Sequence, residues 1–281
     1  MNQQKAPDRT ASDPERVCSA GLSRRSFLGK AIVAAGAVTL GTRAVAFADD
    51  LDPMGTATQD PVSKDVPQWA MVIDLARCDG CKECTRACQE AHFTGDQEWL
   101  KVFEVTDESG NTVFLPRPCM QCENAPCLNV CPVGATFRNE NGTVLVDHDL
   151  CIGCRYCMAA CPYDARSFNW GEPENPAGAA LARYSPEYPV PHRKGTVDKC
   201  MFCAHNAMNG QLPECASACS MSAIWFGDLV ADVATNGLET VQLSWLLSSR
   251  HAFRLKEELG TKPRVWYLPG HGENSKVVLP E

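Results

Sequence analysis

Several features that mark common protein classes are missing from this sequence of 281 residues. No apolar run reaches the roughly 18 residues of a membrane-spanning helix, so we expect membrane attachment only through partners. The chain also lacks a nucleophile–base arrangement, a phosphate-binding glycine loop and a flavin or nicotinamide fingerprint. The sequence therefore gives no indication of a hydrolytic or nucleotide-dependent active site.

An excess of basic residues is also missing. The formal net charge is −8, and residues 1–48 carry seven Lys and Arg against three Asp and Glu. The remainder therefore has 19 basic and 31 acidic residues, a formal charge of −12. Because binding to phosphate backbones needs a basic surface, we expect no nucleic-acid partner.

Cysteine, in contrast, is abundant, with 17 residues or about 6% of the chain. Leaving Cys18 aside, all of the others fall into four groups of four. The groups are Cys78, Cys81, Cys84 and Cys88; Cys119, Cys122, Cys127 and Cys131; Cys151, Cys154, Cys157 and Cys161; and Cys200, Cys203, Cys215 and Cys219.

The spacing in these groups is typical of iron–sulfur proteins. The first and third groups read C-x2-C-x2-C-x3-C, and Pro162 follows the third. In this pattern three thiolates hold one [4Fe–4S] cluster and the fourth reaches a second cluster. The second group has an x4 middle gap, and the fourth has an x11 gap with Ser220 in place of the proline.

Two other uses of sixteen cysteines fit the pattern less well. Four structural zinc sites are disfavoured, because zinc ribbons usually show two C-x2-C pairs a dozen or more residues apart. A disulfide framework would suit an exported cysteine-rich protein, but the spacing and the type of export signal oppose it. A brown protein with broad absorbance would separate clusters from both alternatives.

The N-terminus predicts an export signal over residues 1–48. Arg24 and Arg25 precede a mild apolar run over 31–40, and small residues then offer cleavage after Ala46 or Ala48. The adjacent arginines resemble the twin-arginine type, which carries proteins already folded around a cofactor. Cys18 lies in the segment to be removed, so we expect it to have no role in the mature protein.

Coarse secondary structure can be placed between the cysteines. A flexible leader is expected over 49–67 and a surface loop with little regular structure over 171–195. We predict a helix over 242–259 from its apolar spacing. Strands are predicted over 70–74, 99–106, 112–115 and 223–226, with a turn at 108–111 and a hairpin over 135–146. Residues 264–268 are predicted as a final strand or an extended tail.

Together, the four groups resemble the four-cluster ferredoxin-like electron-transfer subunits of the dimethylsulfoxide reductase superfamily. Such subunits serve polysulfide, thiosulfate and tetrathionate reductases and formate-dependent nitrite reduction. The resemblance implies an α+β fold of two nested dicluster units within a domain over 68–270, with a C-terminal helix and a tail over 271–281. The inner unit would cover 119–161, and the outer unit would join 78–88 with 200–219.

Family pairing, carried onto this chain, implies four ligand sets. Some relatives replace a cysteine of the second group and carry a [3Fe–4S] cluster, but this chain retains all four, so four [4Fe–4S] clusters are expected. The sets are Cys78, Cys81, Cys84 and Cys219 (cluster 1); Cys119, Cys122, Cys127 and Cys161 (cluster 2); Cys131, Cys151, Cys154 and Cys157 (cluster 3); and Cys88, Cys200, Cys203 and Cys215 (cluster 4).

The resemblance also implies a role as an electron relay rather than as an enzyme. The expected partners are a molybdopterin-type catalytic subunit and an integral membrane quinone-reactive subunit or a cytochrome. The expected location is periplasmic, at the outer face of the inner membrane. The alternative is the iron–sulfur subunit of a membrane redox complex without a molybdenum partner, of the type linked to sulfite reduction. A catalytic cluster is disfavoured because no group lacks a ligand.

A few residues near the cysteines remain open in interpretation. His205, close after Cys203, is interpreted as a loop or surface residue, with tuning of a nearby cluster as the alternative. Lys199 and Arg155 either raise cluster potentials or face solvent. The tryptophans Trp69, Trp99, Trp170 and Trp225 are expected in the core or at an interface.

Overall fold

The computed structural model describes residues 66–106, 112–179 and 183–270. The expected signal, nearly all of the leader, the turn at 108–111 and the tail over 271–281 lie outside these residues. The elements in chain order are β1 Trp69–Asp74, α1 Glu83–His92, β2 Lys101–Thr106, β3 Thr112–Arg117, α2 Pro126–Asn129, β4 Thr136–Arg138, β5 Val144–Val146, α3 Tyr156–Ala159, β6 Ser167–Phe168, β7 Val197–Asp198, α4 Ala204–Met208, α5 Glu214–Ser217, β8 Ile224–Asp228, β9 Val233–Thr235, β10 Thr240–Gln242, α6 Leu243–Ser249 and β11 Val265–Leu268.

The fold of the described residues is α+β, with one five-stranded sheet and three two-stranded sheets. The larger sheet has the strand order β10-β9-β8-β1-β11. Its centre, β1, pairs antiparallel with β8 and parallel with β11. Since β1 precedes the first cysteine group and β8 follows the fourth, this pairing brings the two ends of the cysteine-bearing region together.

The central strand is apolar from Ala70 to Ile73, and these four residues are buried. Successive side chains of a strand point to opposite faces. Met71 and Ile73 enter the core that also contains many of the cysteines. Ala70 and Val72 belong to a second core with Leu243 of α6. The continuous apolar run over 70–73 therefore fits burial on both faces of the strand.

The helices that carry cysteines contact one another in pairs. Helix α1 packs against α5, and α2 packs against α3. Cys84 and Cys88 lie in α1 and Cys215 lies in α5, whereas Cys127 and Cys157 lie in α2 and α3. The first and fourth groups thus meet, and the second and third groups meet separately.

The loops of groups one and three share an unusual backbone conformation. Lys82 and Arg155 each follow the second cysteine of their group, and each has a left-handed conformation, with φ of 60° and 63°. Left-handed conformations are unfavourable for residues other than glycine. Each such residue directly precedes a helix that carries the third cysteine, so the two loops turn in the same way.

The C-terminal helix is shorter than the sequence predicts. Helix α6 covers Leu243–Ser249, and a single 3-10 turn covers Glu257–Leu259. Between them, the backbone groups of Phe253 exchange two hydrogen bonds with those of Tyr267, of 2.9 and 2.8 Å. Pairing with β11 therefore replaces the helical hydrogen bonds that the apolar spacing indicates.

The other predicted elements lie close to observed ones, and some short elements have no counterpart in the prediction. Strands β1, β2, β3, β8 and β11 and the β4–β5 hairpin overlap the predicted segments. Strands β6, β7, β9 and β10 are two or three residues long, and no sequence pattern indicated them.

In the described parts of the chain, no helix has the length and apolarity to cross a bilayer.

Candidate iron–sulfur sites

One cavity brings together cysteines from the first and fourth groups. Its walls contain Met71, Trp99, Leu100 and Phe202, and the cysteines that line it are Cys88, Cys200, Cys203 and Cys215. Cys88 comes from α1, more than a hundred residues before the other three. These four cysteines are the set implied for cluster 4.

A second cavity brings together cysteines from the second and third groups. It is lined by Val133, Ala135 and Val146, and the cysteines around it are Cys131, Cys151, Cys154 and Cys157. The backbone N–H groups of Thr136, Val133 and Ala135 lower the pKa of Cys131, against the opposing effect of burial. The four cysteines are the set implied for cluster 3.

The remaining eight cysteines form two electrostatically coupled sets. Burial first, and then the charge of Cys78 and Cys219, raises the pKa of Cys84 to about 12. Burial is also the largest cause of the raised pKa of Cys161, and the charges of Cys119 and Cys127 raise it further. These interactions link Cys78, Cys81, Cys84 and Cys219, and separately Cys119, Cys122, Cys127 and Cys161.

Without a metal, burial favours neutral thiols at these sites, so thiolates need a cation to balance their charge. Burial raises the pKa of Cys78 and of Cys200 to about 11, and that of Cys203 to about 12. Neighbouring thiolates add to this effect because like charges in a low-dielectric site repel. Iron would compensate the charges, since a metal binds thiolates and releases their protons. The donor set therefore fits [4Fe–4S] clusters.

Cys84 and Cys88 of α1 are one helical turn apart, but each interacts mainly with cysteines of a different set. Cys84 interacts with Cys78 and Cys219, whereas Cys88 interacts first with Cys200 and Cys203. Residues four apart in a helix lie on one face. This face of α1 thus stands between two neighbouring sites.

Electrostatic interactions between cysteines of different sets indicate which sets adjoin one another. Cys84 adds to the electrostatic field at both Cys88 and Cys215. Cys119 acts in the same way on Cys200, and Cys127 acts on Cys157. The sets of clusters 1, 4, 2 and 3 are therefore neighbours in that order.

Exposure differs between the ends and the middle of this row. Cys81 and Cys154, in the two end sets, are exposed. The middle sets contain only buried or partly buried cysteines.

Several residues near the cysteines were not identified from the sequence or were interpreted differently. His92 and Arg166 lie against cysteine sulfurs, and neither was singled out. His92 lies four residues after Cys88 on α1, so a predicted helix would have placed both on one face. His205 is half-buried in α4, with its ring centroid 5.6 Å from that of His92.

The structure shows where the charged neighbours of the cysteines and three of the tryptophans lie. Lys199 is buried and donates a 2.9 Å hydrogen bond to the carbonyl of Cys200. Arg155 is exposed, with its guanidinium 4.6 Å from the ring centroid of Trp170. Trp170 is 68% exposed, which excludes it from the core of this chain. Trp99 and Trp225 are buried, as expected for core residues.

Comparison with protein families agrees with an iron–sulfur protein. Two families described as "4Fe-4S dicluster domain" match residues 77–135 and 111–176. The matches share residues 111–135, which contain the second cysteine group. Sequence similarity alone would thus join the second group to the first as well as to the third. The cavities instead join Cys88 of the first group to the fourth.

Characterised relatives give the family more closely. The chain is 37% identical to a subunit of selenate reductase from Mesobacillus selenatarsenatis, covering 88% of this chain and 97% of that one. It is 36% identical to a subunit of tetrathionate reductase from Salmonella typhimurium, covering 88% of each. It is 39% identical to the iron-sulfur cluster-binding subunit of menaquinone reductase of Nitratidesulfovibrio vulgaris, covering 72% and 88%. The chain belongs to the iron–sulfur electron-transfer subunits of the dimethylsulfoxide reductase superfamily. It is an electron-transfer component of a reductase complex rather than its catalytic subunit.

Proposed function

We propose that this chain binds four [4Fe–4S] clusters in the sets implied for clusters 1 to 4 and passes single electrons along them. The observation that carries the proposal is the crossing of Cys88 into the cavity of Cys200, Cys203 and Cys215. In a dicluster unit the fourth cysteine of one group serves the neighbouring cluster. The crossing thus supports an outer unit that joins groups one and four around an inner unit over 119–161, within a domain over 68–270.

The row of clusters gives the path of the electrons. The proposed order is cluster 1, cluster 4, cluster 2 and cluster 3, supported by the interactions of Cys84 with Cys88 and of Cys119 with Cys200. Each cluster accepts one electron, and the protein sets the potentials through burial, hydrogen bonds to sulfur and nearby charge. The exposed Cys81 and Cys154 mark the two ends that face redox partners.

The proposed partners are a molybdopterin-type catalytic subunit at one end and a quinone-reactive membrane subunit or cytochrome at the other. This follows from the family, whose relatives are named as subunits of selenate, tetrathionate and menaquinone reductases. We further propose export by the twin-arginine signal over 1–48 and a periplasmic location. Replacing Arg24 and Arg25 by lysine should then leave the protein in the cytoplasm, as measured by cell fractionation.

A complex without a molybdenum partner is the second candidate. The similarity to an iron–sulfur subunit of menaquinone reductase fits a complex that exchanges electrons with quinone, and both candidates can do so. Affinity purification from detergent-solubilised membranes distinguishes the two, because only the first candidate predicts a co-purifying molybdopterin subunit. The prosthetic group can be identified by its fluorescence after oxidation.

The ligand sets can be tested by pairs of serine variants. If the sets are right, Cys88→Ser and Cys203→Ser perturb the same EPR centre, and Cys84→Ser and Cys219→Ser perturb another. Iron and sulfide analysis of the unaltered chain should give about 16 of each, since each of four cubanes holds four. An outcome in which Cys84→Ser and Cys88→Ser perturb one common centre would falsify the crossing arrangement.

A further inference from the structure

A buried histidine contacts one ligand of the proposed cluster 4. The Nε2 atom of His92 lies 3.1 Å from the sulfur of Cys203. His92 is the last residue of α1 and is 2% exposed. It also lines the cavity that Cys203 shares with Cys88 and two further cysteines. The imidazole thus lies at the edge of the proposed cluster site.

The direction of this hydrogen bond follows from the chemistry of the sulfur. An iron-bound cysteine is a thiolate and has no proton to donate. The hydrogen must therefore be on Nε2 of His92, and the sulfur accepts it. The other ring nitrogen, Nδ1, has no hydrogen-bond partner among the described residues. Placing the hydrogen on Nε2 leaves only a lone pair without a partner, whereas the other tautomer would bury an unpaired N–H.

The position of His92 is fixed from two sides. Its ring stacks on Trp99, with centroids 5.5 Å apart and planes inclined by 20°. Its main-chain carbonyl accepts a 2.6 Å hydrogen bond from Nε2 of His192. His192 is oriented in turn by Asp198, at 3.1 Å between Nδ1 and Oδ2. The end of α1 is thereby tied to β7, which leads into Cys200.

A hydrogen bond to a cluster sulfur favours the reduced state. Reduction adds negative charge to the cluster, and a donor to sulfur stabilises that charge. We propose that His92 sets the potential of cluster 4, making it easier to reduce than it would be without the Nε2–H···Sγ bond. His92 acts through Cys203 and is therefore a potential-setting residue rather than a ligand. The proposal rests on the ligand sets proposed above.

EPR-monitored redox titration of the cluster-loaded chain tests the proposal. His92→Phe keeps an aromatic ring against Trp99 but removes the donor. We expect its reduction equilibrium to shift about tenfold towards the oxidised state for one centre only, which is 59 mV for a one-electron couple. His92→Gln retains an N–H donor and should recover part of the shift. His205→Phe is the matched control, because its ring adjoins that of His92, and we expect less than a twofold change.

The experiment separates failure of this proposal from failure of the proposed function. Iron content of the unaltered chain reports on the four clusters independently of His92. A His92→Phe protein with full iron content and unchanged potentials, or with all four potentials shifted equally, overturns the role of His92. If the variant loses iron, the unaltered chain labelled with 15N-histidine decides. A histidine nitrogen coupled to one reduced cluster in hyperfine spectra supports the bond, and the absence of such coupling overturns it.

Discussion

The side-chain amide of Gln121 donates a 2.7 Å hydrogen bond to the main-chain carbonyl of Cys200. The same side chain accepts a 2.8 Å hydrogen bond at Oε1 from the backbone N–H of Val144. Gln121 belongs to the loop of the second cysteine group and is 1% exposed. One buried residue thus connects the loops of the second and fourth groups with the β4–β5 hairpin.

Replacing Gln121 by Met should destabilise the cluster-loaded protein by about 1–3 kcal/mol. Because Lys199 also donates to the Cys200 carbonyl, the buried group left without a partner is the N–H of Val144. The expected fall in Tm is about 2–4 °C for each kcal/mol. Anaerobic thermal bleaching of the cluster absorbance measures this fall in Tm.

The control is Asn124→Ala, which removes an exposed hydrogen bond to the Gly260 carbonyl and should change Tm by less than about 1 °C. Equal effects of the two variants would contradict this explanation.

Removing the charge of Arg166 should lower the potentials of clusters 2 and 3 together. Burial disfavours this guanidinium, but the thiolates of Cys127 and Cys157 outweigh that effect and raise its pKa. A buried positive charge stabilises the added electron, and at an effective dielectric constant near 20 the interaction is about 1–2 kcal/mol. In Arg166→Gln we expect a roughly five- to thirtyfold shift towards the oxidised state for two centres in EPR titrations. The matched control is Arg86→Gln, whose exposed side chain pairs with Glu83 and Glu90. A shift confined to one centre, or also present in the control, would show that the charge does not lie between the two clusters.

A methyl group at Gly153 should prevent cluster 3 from assembling. Gly153 has φ +70°, and a Cβ there would lie 2.2 Å from the carbonyl oxygen of Gly195. The backbone at Gly153 cannot move easily to relieve this contact, because Gly153 lies between Cys151 and Cys154 in the cluster loop. We expect Gly153→Ala to lose about four of roughly 16 iron atoms per chain, measured by metal analysis. The control is Gly210→Ala, with φ +70° and no atom within 4 Å of the added Cβ. The control should retain its iron, and retention in both variants would refute the steric argument.

The stability of the folded chain should fall as the pH rises above about 6.5, the ordinary pKa of histidine. Burial disfavours the imidazolium of His192, but Asp198 and the carbonyl of His92 outweigh burial and raise the pKa of His192. The side chain of His148 also faces Asp198, at 2.7 Å. Because the pKa of His192 is higher in the folded state, its contribution is complete below the unfolded pKa. The contribution disappears as the pH rises through the folded pKa.

Rates of cluster bleaching at a fixed temperature, measured across neutral pH, test this dependence. The rate should increase with pH in the unaltered chain, and the increase should vanish in His192→Gln. The exposed His251 provides the comparison, since His251→Gln should retain the full dependence. A pH profile that is the same in all three proteins would exclude the His192–Asp198 pair as its origin.

Much of the local structure follows from short stretches of sequence. The β4–β5 hairpin forms where Asn141 and Gly142 offer a turn, and Gly142 has φ +78°. The cysteine loops likewise depend on spacing over about ten residues, which the sequence displays directly. The length of α6 was not predictable in this way, because its apolar spacing continues past Ser249. The helix ends because the backbone of Phe253 pairs with that of Tyr267, a strand residue fourteen positions later.

The sequence by itself determined that this chain has cysteines in groups suited to iron–sulfur clusters, because the spacing within each group is local and can be read directly. Only the tertiary structure decided which distant groups meet, since the pairing of β1 with β8 and of α1 with α5 joins residues far apart in the chain. The same holds for the environment of the sulfurs. His92, Arg166 and Gln121 reach cysteines or their loops across the fold, and neither spacing nor periodicity records contacts of that kind.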